Sequence, residues 1–73
     1  MKTNHRDWKI DATPQHLGGS FRARAEVDRA PHGEGDDEGD RFIFNDLGDF
    51  EEKSAAELRA TSWAKRWIND NYA

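Results

Sequence analysis

Ser20-Phe21-Arg22-Ala23-Arg24-Ala25-Glu26-Val27-Asp28-Arg29 is the stretch on which the fold turns. Phe21, Ala23, Ala25 and Val27 fall on one side of an extended chain, and Arg22, Arg24, Glu26 and Asp28 on the other. Alternation with a period of two marks a strand with one dry and one wet face. Ala23 and Ala25 are small for inward positions, so something bulky is expected to lie across them. On the N-terminal side, Trp8, Ile10 and Ala12 alternate with Asp7, Lys9, Asp11 and Thr13, which predicts a first strand over 7–13. Pro14 to Gly19 supplies turn chemistry between the two, with Gly18-Gly19 open to positive φ. So short a connection implies antiparallel pairing. Residues 1–6 are polar and are expected to be frayed.

On the C-terminal side, residues 30–40 are rich in glycine and acid and poor in apolar surface. Such a segment cannot offset its ordering entropy and reads as a mobile loop. Arg41 to Asn45 is a third strand, with Phe42 and Phe44 on one face and Ile43 on the other. Asp46-Leu47-Gly48-Asp49 is a turn, after which Phe50 returns the chain to the core. Ser54-Ala55-Ala56-Glu57 has the spacing of a capping box, which opens a helix over about 54–71. Glu51 and Glu52 suit the positive end of its dipole, and Lys65 and Arg66 lie toward the negative end. At helical spacing Ala56, Ala60, Trp63, Ala64 and Trp67 share one face with Ile68 at its edge, and Leu58 falls opposite. The tryptophans are therefore the expected cover for Ala23 and Ala25. The expectation is one α+β domain over 1–73: a three-stranded antiparallel sheet with a C-terminal helix packed on one face, β-β-β-α.

Length and composition limit what else the chain can be. It has 73 residues, 34% of them hydrophobic and 36% charged, so its core is marginal for a domain. It has no cysteine, so disulfides do not supplement that core, and a reducing compartment fits. Eight aromatic residues do the supplementing instead: Trp8, Trp63, Trp67, Phe21, Phe42, Phe44, Phe50 and Tyr72. There is no apolar run long enough for a bilayer and no signal-like start. The opening Met1, without a tag, suggests a complete polypeptide with a cytoplasmic address. Of the net charge of −4, the acidity is concentrated in 33–40, where five acids stand without a base. The remainder is close to neutral, which is not the basic footprint of a nucleic-acid binder.

Candidate sites are few. His5, His16 and His32 fall in three separate segments without metal-ligand spacing and are expected to be idle. Within Glu34–Asp40, acids at Asp36, Glu38 and Asp40 imitate the start of a calcium loop, but Arg41 stands where that loop needs glycine. The segment reads as a solvated loop. Ser20, Ser54 and Ser62 lack a nucleophile-elbow setting, and the carboxylates have no evident source of pKa tuning, so no catalytic, cofactor or metal residues are assigned. Arg22 and Arg24 with Lys9 suggest a small basic patch on the open sheet face, diluted by Glu26 and Asp28 and bare of stacking aromatics. Trp63 and Trp67 read as core. Leu58 and the sheet edges are the better candidates for a partner surface.

Two resemblances bear on this. Phe44-Asn45-Asp46-Leu47-Gly48-Asp49-Phe50 through Leu58, followed by Trp63-Ala64-Lys65-Arg66-Trp67-Ile68-Asn69-Asp70, resembles a pattern in small uncharacterised bacterial proteins, which implies no particular activity. The β-β-β-α layout is also loosely similar to the HicB antitoxin's partial double-stranded-RNA-binding-like domain, although the DNA-binding segment that follows it there is missing here. The expectation is a small bacterial cytoplasmic protein without enzymatic activity, acting through a protein partner or as a homodimer. A nucleic-acid-binding accessory protein is the alternative. No membrane, small-molecule ligand or cofactor is implied.

Overall fold

The computed structural model describes residues 1–29 and 39–72. Within them the chain is α+β, with antiparallel sheets and one C-terminal helix. It forms seven strands: β1 (Lys2–His5), β2 (Trp8–Asp11), β3 (Gln15–Leu17), β4 (Ser20–Arg22), β5 (Ala25–Arg29), β6 (Asp40–Phe44) and β7 (Asp49–Phe50). The helix α1 spans Lys53–Tyr72. The strands make two sheets, one ordered β1-β2-β5-β6 and the other β3-β4-β7. The expected three-stranded sheet is thus replaced by two sheets of four and three strands.

The correction has a local cause, because each long extended segment is interrupted at the same level. After β2, the Asp11 carboxylate accepts hydrogen bonds from the Thr13 N–H (3.2 Å) and hydroxyl (2.6 Å). Pro14 follows, with no N–H to give to a ladder. The predicted strand over 20–29 is likewise divided at Ala23-Arg24, although its alternation continues through the break: Ala23, Ala25 and Val27 are all fully buried. Between β6 and β7 the chain is pinned to that break, with the Ala23 N–H donating to Gly48 O (2.8 Å) and the Leu47 N–H to Ala23 O (3.0 Å). Gly48 holds φ at 111°, which side-chain-bearing residues rarely adopt. The supposed turn between the first two strands contains β3, which meets β4 across Gly18-Gly19 with Leu17 opposite Ser20.

Residues 1–6 are not frayed. β1 pairs with β2 over its whole length, Lys2 opposite Asp11 and His5 opposite Trp8, and becomes an edge of the larger sheet. Arg6, at φ 56°, makes the tight turn between them. Of the expected mobile loop 30–40, Asp40 belongs to β6 and is ion-paired with Arg29, while 30–38 lie outside the described residues.

The helix differs in two respects. It begins at Lys53, and the Ala56 N–H donates to Glu52 O (3.2 Å), so Ser54 lies inside the first turn and does not cap it. Glu57, the other half of the supposed capping box, instead faces the Met1 ammonium at 2.9 Å. Second, its buried ridge is Ala56, Ala60, Thr61, Ala64 and Ile68, and both tryptophans are only partly buried at its margin. Small residues explain the rotation. Ala56, Ala60 and Ala64 let the helix backbone come close to β2, β4, β5 and β7, and Ala12, Ala23 and Ala25, in or next to those strands, add equally small residues to the same buried core. An indole does not fit beneath a helix so close to its sheet, so Trp63 and Trp67 are displaced sideways over β6. Trp8, Ile10, Val27 and Ile68 complete the core.

Candidate interaction surface

β6 is the outer strand of the larger sheet, and no described strand pairs with its far side. Its inward residues, Phe42 and Phe44, lie beyond the part of the sheet that the helix backbone approaches most closely and are covered by the tryptophans instead. Phe42 and Trp67 have ring centroids 4.9 Å apart, and Phe44 and Trp63 4.6 Å, both tilted by about 60°. Such tilted pairs are favoured by the ring quadrupoles. Trp67 continues inward to Trp8, edge-on at 6.0 Å, and Tyr72 lies 5.0 Å from Trp8 at the end of the helix. A single aromatic layer therefore runs from the buried Trp8 to half-buried rings at the β6 side.

Arg29 closes one end of this layer. It stands on the inward side of β5, opposite Trp8, with its guanidinium 4.9 Å from the Trp8 ring and 5.0 Å from that of Tyr72. Its charge is balanced by Asp40, the first residue of β6. Arg29 was not assigned a face from the sequence, although its position continues the alternation of Phe21, Ala23, Ala25 and Val27, the signal that could have placed it inward. What the sequence did not reveal was the Tyr72 platform beyond it, because the helix pattern weakens there.

Outside the aromatic layer, Arg59, Ser62, Trp63, Arg66, Trp67 and Asp70 line an open groove along the helix flank. Arg66 reaches Asp70 at 3.8 Å, and both side chains are largely exposed. On the outer sheet face Ile43 is 47% exposed, and Arg41 beside it pairs with Glu26 at 2.5 Å. Leu58 is 66% exposed on the far side of the helix, as its spacing implied.

The small basic patch that Arg22, Arg24 and Lys9 could have formed is not assembled. Lys9 lies on β2 opposite Asp28, Arg24 falls in the break between the sheets, and Arg22 belongs to the smaller sheet. Arg22 is bound to Asp49 at 2.9 Å, with Asp46 at 3.9 Å. The hydrogen bond from Arg22 holds the Asp49 carboxyl below its ordinary pKa, and the Thr13 hydroxyl does the same for Asp11. Lys2 and Lys9 border a shallow depression that Asp11, Glu26 and Asp28 border as well, so the outer face carries mixed charge.

The histidines are placed more regularly than their sequence settings suggested. His5 lies in β1 and its Nε2 meets Asn69 Oδ1 at 2.9 Å, where the Arg6 Nε also donates at 3.0 Å. His16 lies in β3, stacked on Phe21 at 4.7 Å. His32 and most of Glu34–Asp40 lie outside the described residues. Among the described residues no group of three His, Asp or Glu side chains is arranged to hold a metal ion, and no helix is long and apolar enough to cross a membrane. Ser20 donates to Leu17 O at 3.4 Å, while Ser54 and Ser62 are exposed. In comparisons with known proteins, no family model, no curated protein and no solved structure matches this chain.

Proposed function

We propose that this chain is a non-enzymatic interaction module that binds protein through the β6 edge and the adjoining Trp63 and Trp67 flank. The observation that carries the reading is the position of four large rings, Phe42, Phe44, Trp63 and Trp67, all left partly exposed beside a strand edge that no described strand occupies. Backbone groups on such an edge are ready to pair with another chain, and aromatic residues concentrate at the energetic centres of protein interfaces. Nucleic acid is the weaker reading, because Arg22 is engaged by Asp49 and the outer sheet face interleaves Lys2 and Lys9 with three acids. The thiol-free composition and the resemblance to small bacterial proteins support a bacterial cytoplasm as its setting.

Affinity capture tests the reading, with the wild type and Trp63→Glu immobilised side by side and offered lysate of the source cells. Trp63 stands at the helix margin, so its charge-bearing variant is expected to fold. A discrete protein, the chain's own copies included, should be retained by the wild type and lost with Trp63→Glu. Equal retention by both, or retention of nucleic acid that a rise in salt releases, would overturn the reading.

A further inference from the structure

We infer that the occupant of the β6 edge is β6 of a second copy of this chain, paired antiparallel across a twofold axis at Ile43. The inference rests on the contact surface proposed above and names what fills it. Its ground is the sequence Asp40-Arg41-Phe42-Ile43-Phe44-Asn45-Asp46, which reads nearly the same from either end about Ile43. A twofold interface is self-complementary, so residue i meets j wherever j meets i. With the axis at Ile43, Phe42 of one protomer lies opposite Phe44 of its partner, and the two Ile43 side chains face each other. The aromatic pairs then fall on the helix side of the sheet and the isoleucine pair on the outer side, where Ile43 is now 47% exposed. Both are favourable cross-strand pairs. Moving the axis to Phe42 would keep a Phe42 pair but set Asp40 against Phe44 and Arg41 against Ile43, which loses the isoleucine pair and one of the two aromatic pairs.

The charges at the ends are already managed. Asp40 and the partner's Asp46 would approach each other, but Asp40 is paired with Arg29 and Asp46 lies 3.9 Å from Arg22. The same axis places the two helices antiparallel on one side of an eight-stranded sheet. The channel between them is bordered by the partly exposed Trp63 and Trp67 of both copies. Arg66 and Asp70 of one helix then run alongside the same pair, reversed, on the other.

Sedimentation over about a hundredfold range of concentration tests the inference on the wild type, Ile43→Lys, Ile43→Glu and an equal mixture of the two variants. The wild type should shift from monomer to dimer as concentration rises. Each variant puts two like charges opposite one another and should associate at least about tenfold more weakly, since like charges directly opposed are destabilising. The mixture should regain dimers, now of Lys against Glu. Leu58→Lys, on the far side of the helix, should dimerise as the wild type does. Amide exchange on the wild type alone gives an independent readout: alternate β6 amides should be protected in concentrated samples and lose that protection on dilution. A wild type that stays monomeric throughout, or variants that dimerise undiminished, would overturn the inference. In the first case capture of a different protein that depends on Trp63 would leave the interaction-module reading standing.

Discussion

Thr61 lies between Ala60 and Ala64 on the buried ridge of the helix, 6% exposed, and its hydroxyl has no hydrogen-bond partner. A buried hydroxyl without a partner carries the cost of its desolvation, and an apolar group of the same shape does not. Thr61→Val is therefore expected to stabilise the fold by about 1 kcal/mol, read as a higher denaturation midpoint at unchanged slope. A loss of stability would mean that the hydroxyl is satisfied. Arg29 is a contrasting case. It is also on an inward face and its Nε is likewise buried without a hydrogen-bond partner, yet its charge has Asp40 and its guanidinium has two aromatic rings. Both residues stand at positions in a sequence pattern, Arg29 in the strand alternation and Thr61 as a neighbour of the helix stripe. How far each is compensated depends on residues far away in sequence: Asp40 for Arg29, and none for Thr61.

At the scale of the element, the helix is the informative case. Its extent was legible, since 53–72 differs little from the expected 54–71. Its start was not, because Ser54 and Glu57 have the spacing of a capping box while Glu57 is drawn to the Met1 ammonium. Its rotation was legible only in part. The alanines and Ile68 were expected on the inner face, but Trp63 and Trp67 were expected to join them. Hydrophobic spacing places a stripe on one side of a helix without saying how close that side comes to its sheet. Here both sides of the contact are rich in alanine, and the closeness of approach excludes the larger rings. It follows that Ala60→Leu should overpack the contact and cost about 1–3 kcal/mol. Leu58→Ala, at a residue 66% exposed, should stay within about 0.5 kcal/mol. Chemical denaturation of the two variants checks both; a tolerant Ala60 beside a sensitive Leu58 would show that the helix is turned the other way.

At the scale of the whole molecule, two sheets share a single helix. The larger meets it through β2 and β5 and the smaller through β4 and β7, while Ala23 joins the two sheets through hydrogen bonds with Leu47 and Gly48. Neither sheet has a second layer of its own among the described residues, so neither can bury its apolar face without the helix. The sheets should accordingly unfold together. Coincident transitions followed by tryptophan fluorescence and by far-ultraviolet circular dichroism are the expected outcome. The tryptophans are at the larger sheet and the helix, so amide exchange in β3, β4 and β7 completes the check on the smaller one. Earlier loss of protection in those three strands would show that the smaller sheet is an independent appendage.

By itself the sequence determined which residues alternate and which recur at helical spacing. That was enough for the α+β class, the C-terminal helix, the inward direction of Phe42 and Phe44 and the exposure of Ile43 and Leu58, because each depends only on the period of a local conformation. The tertiary structure decided the rest. A strand pattern runs unbroken through Ala23-Arg24, so the division into two sheets became visible only where the Ala23 backbone meets Leu47 and Gly48, more than twenty residues away. The polar β1 carries no pattern of its own and is ordered by the edge of β2 that it covers. The aromatic layer likewise exists only because a close alanine contact between helix and sheet leaves Trp63 and Trp67 nowhere to lie except over β6. Periodicity is a property of neighbours in the chain, whereas distance of approach is a property of both surfaces that meet.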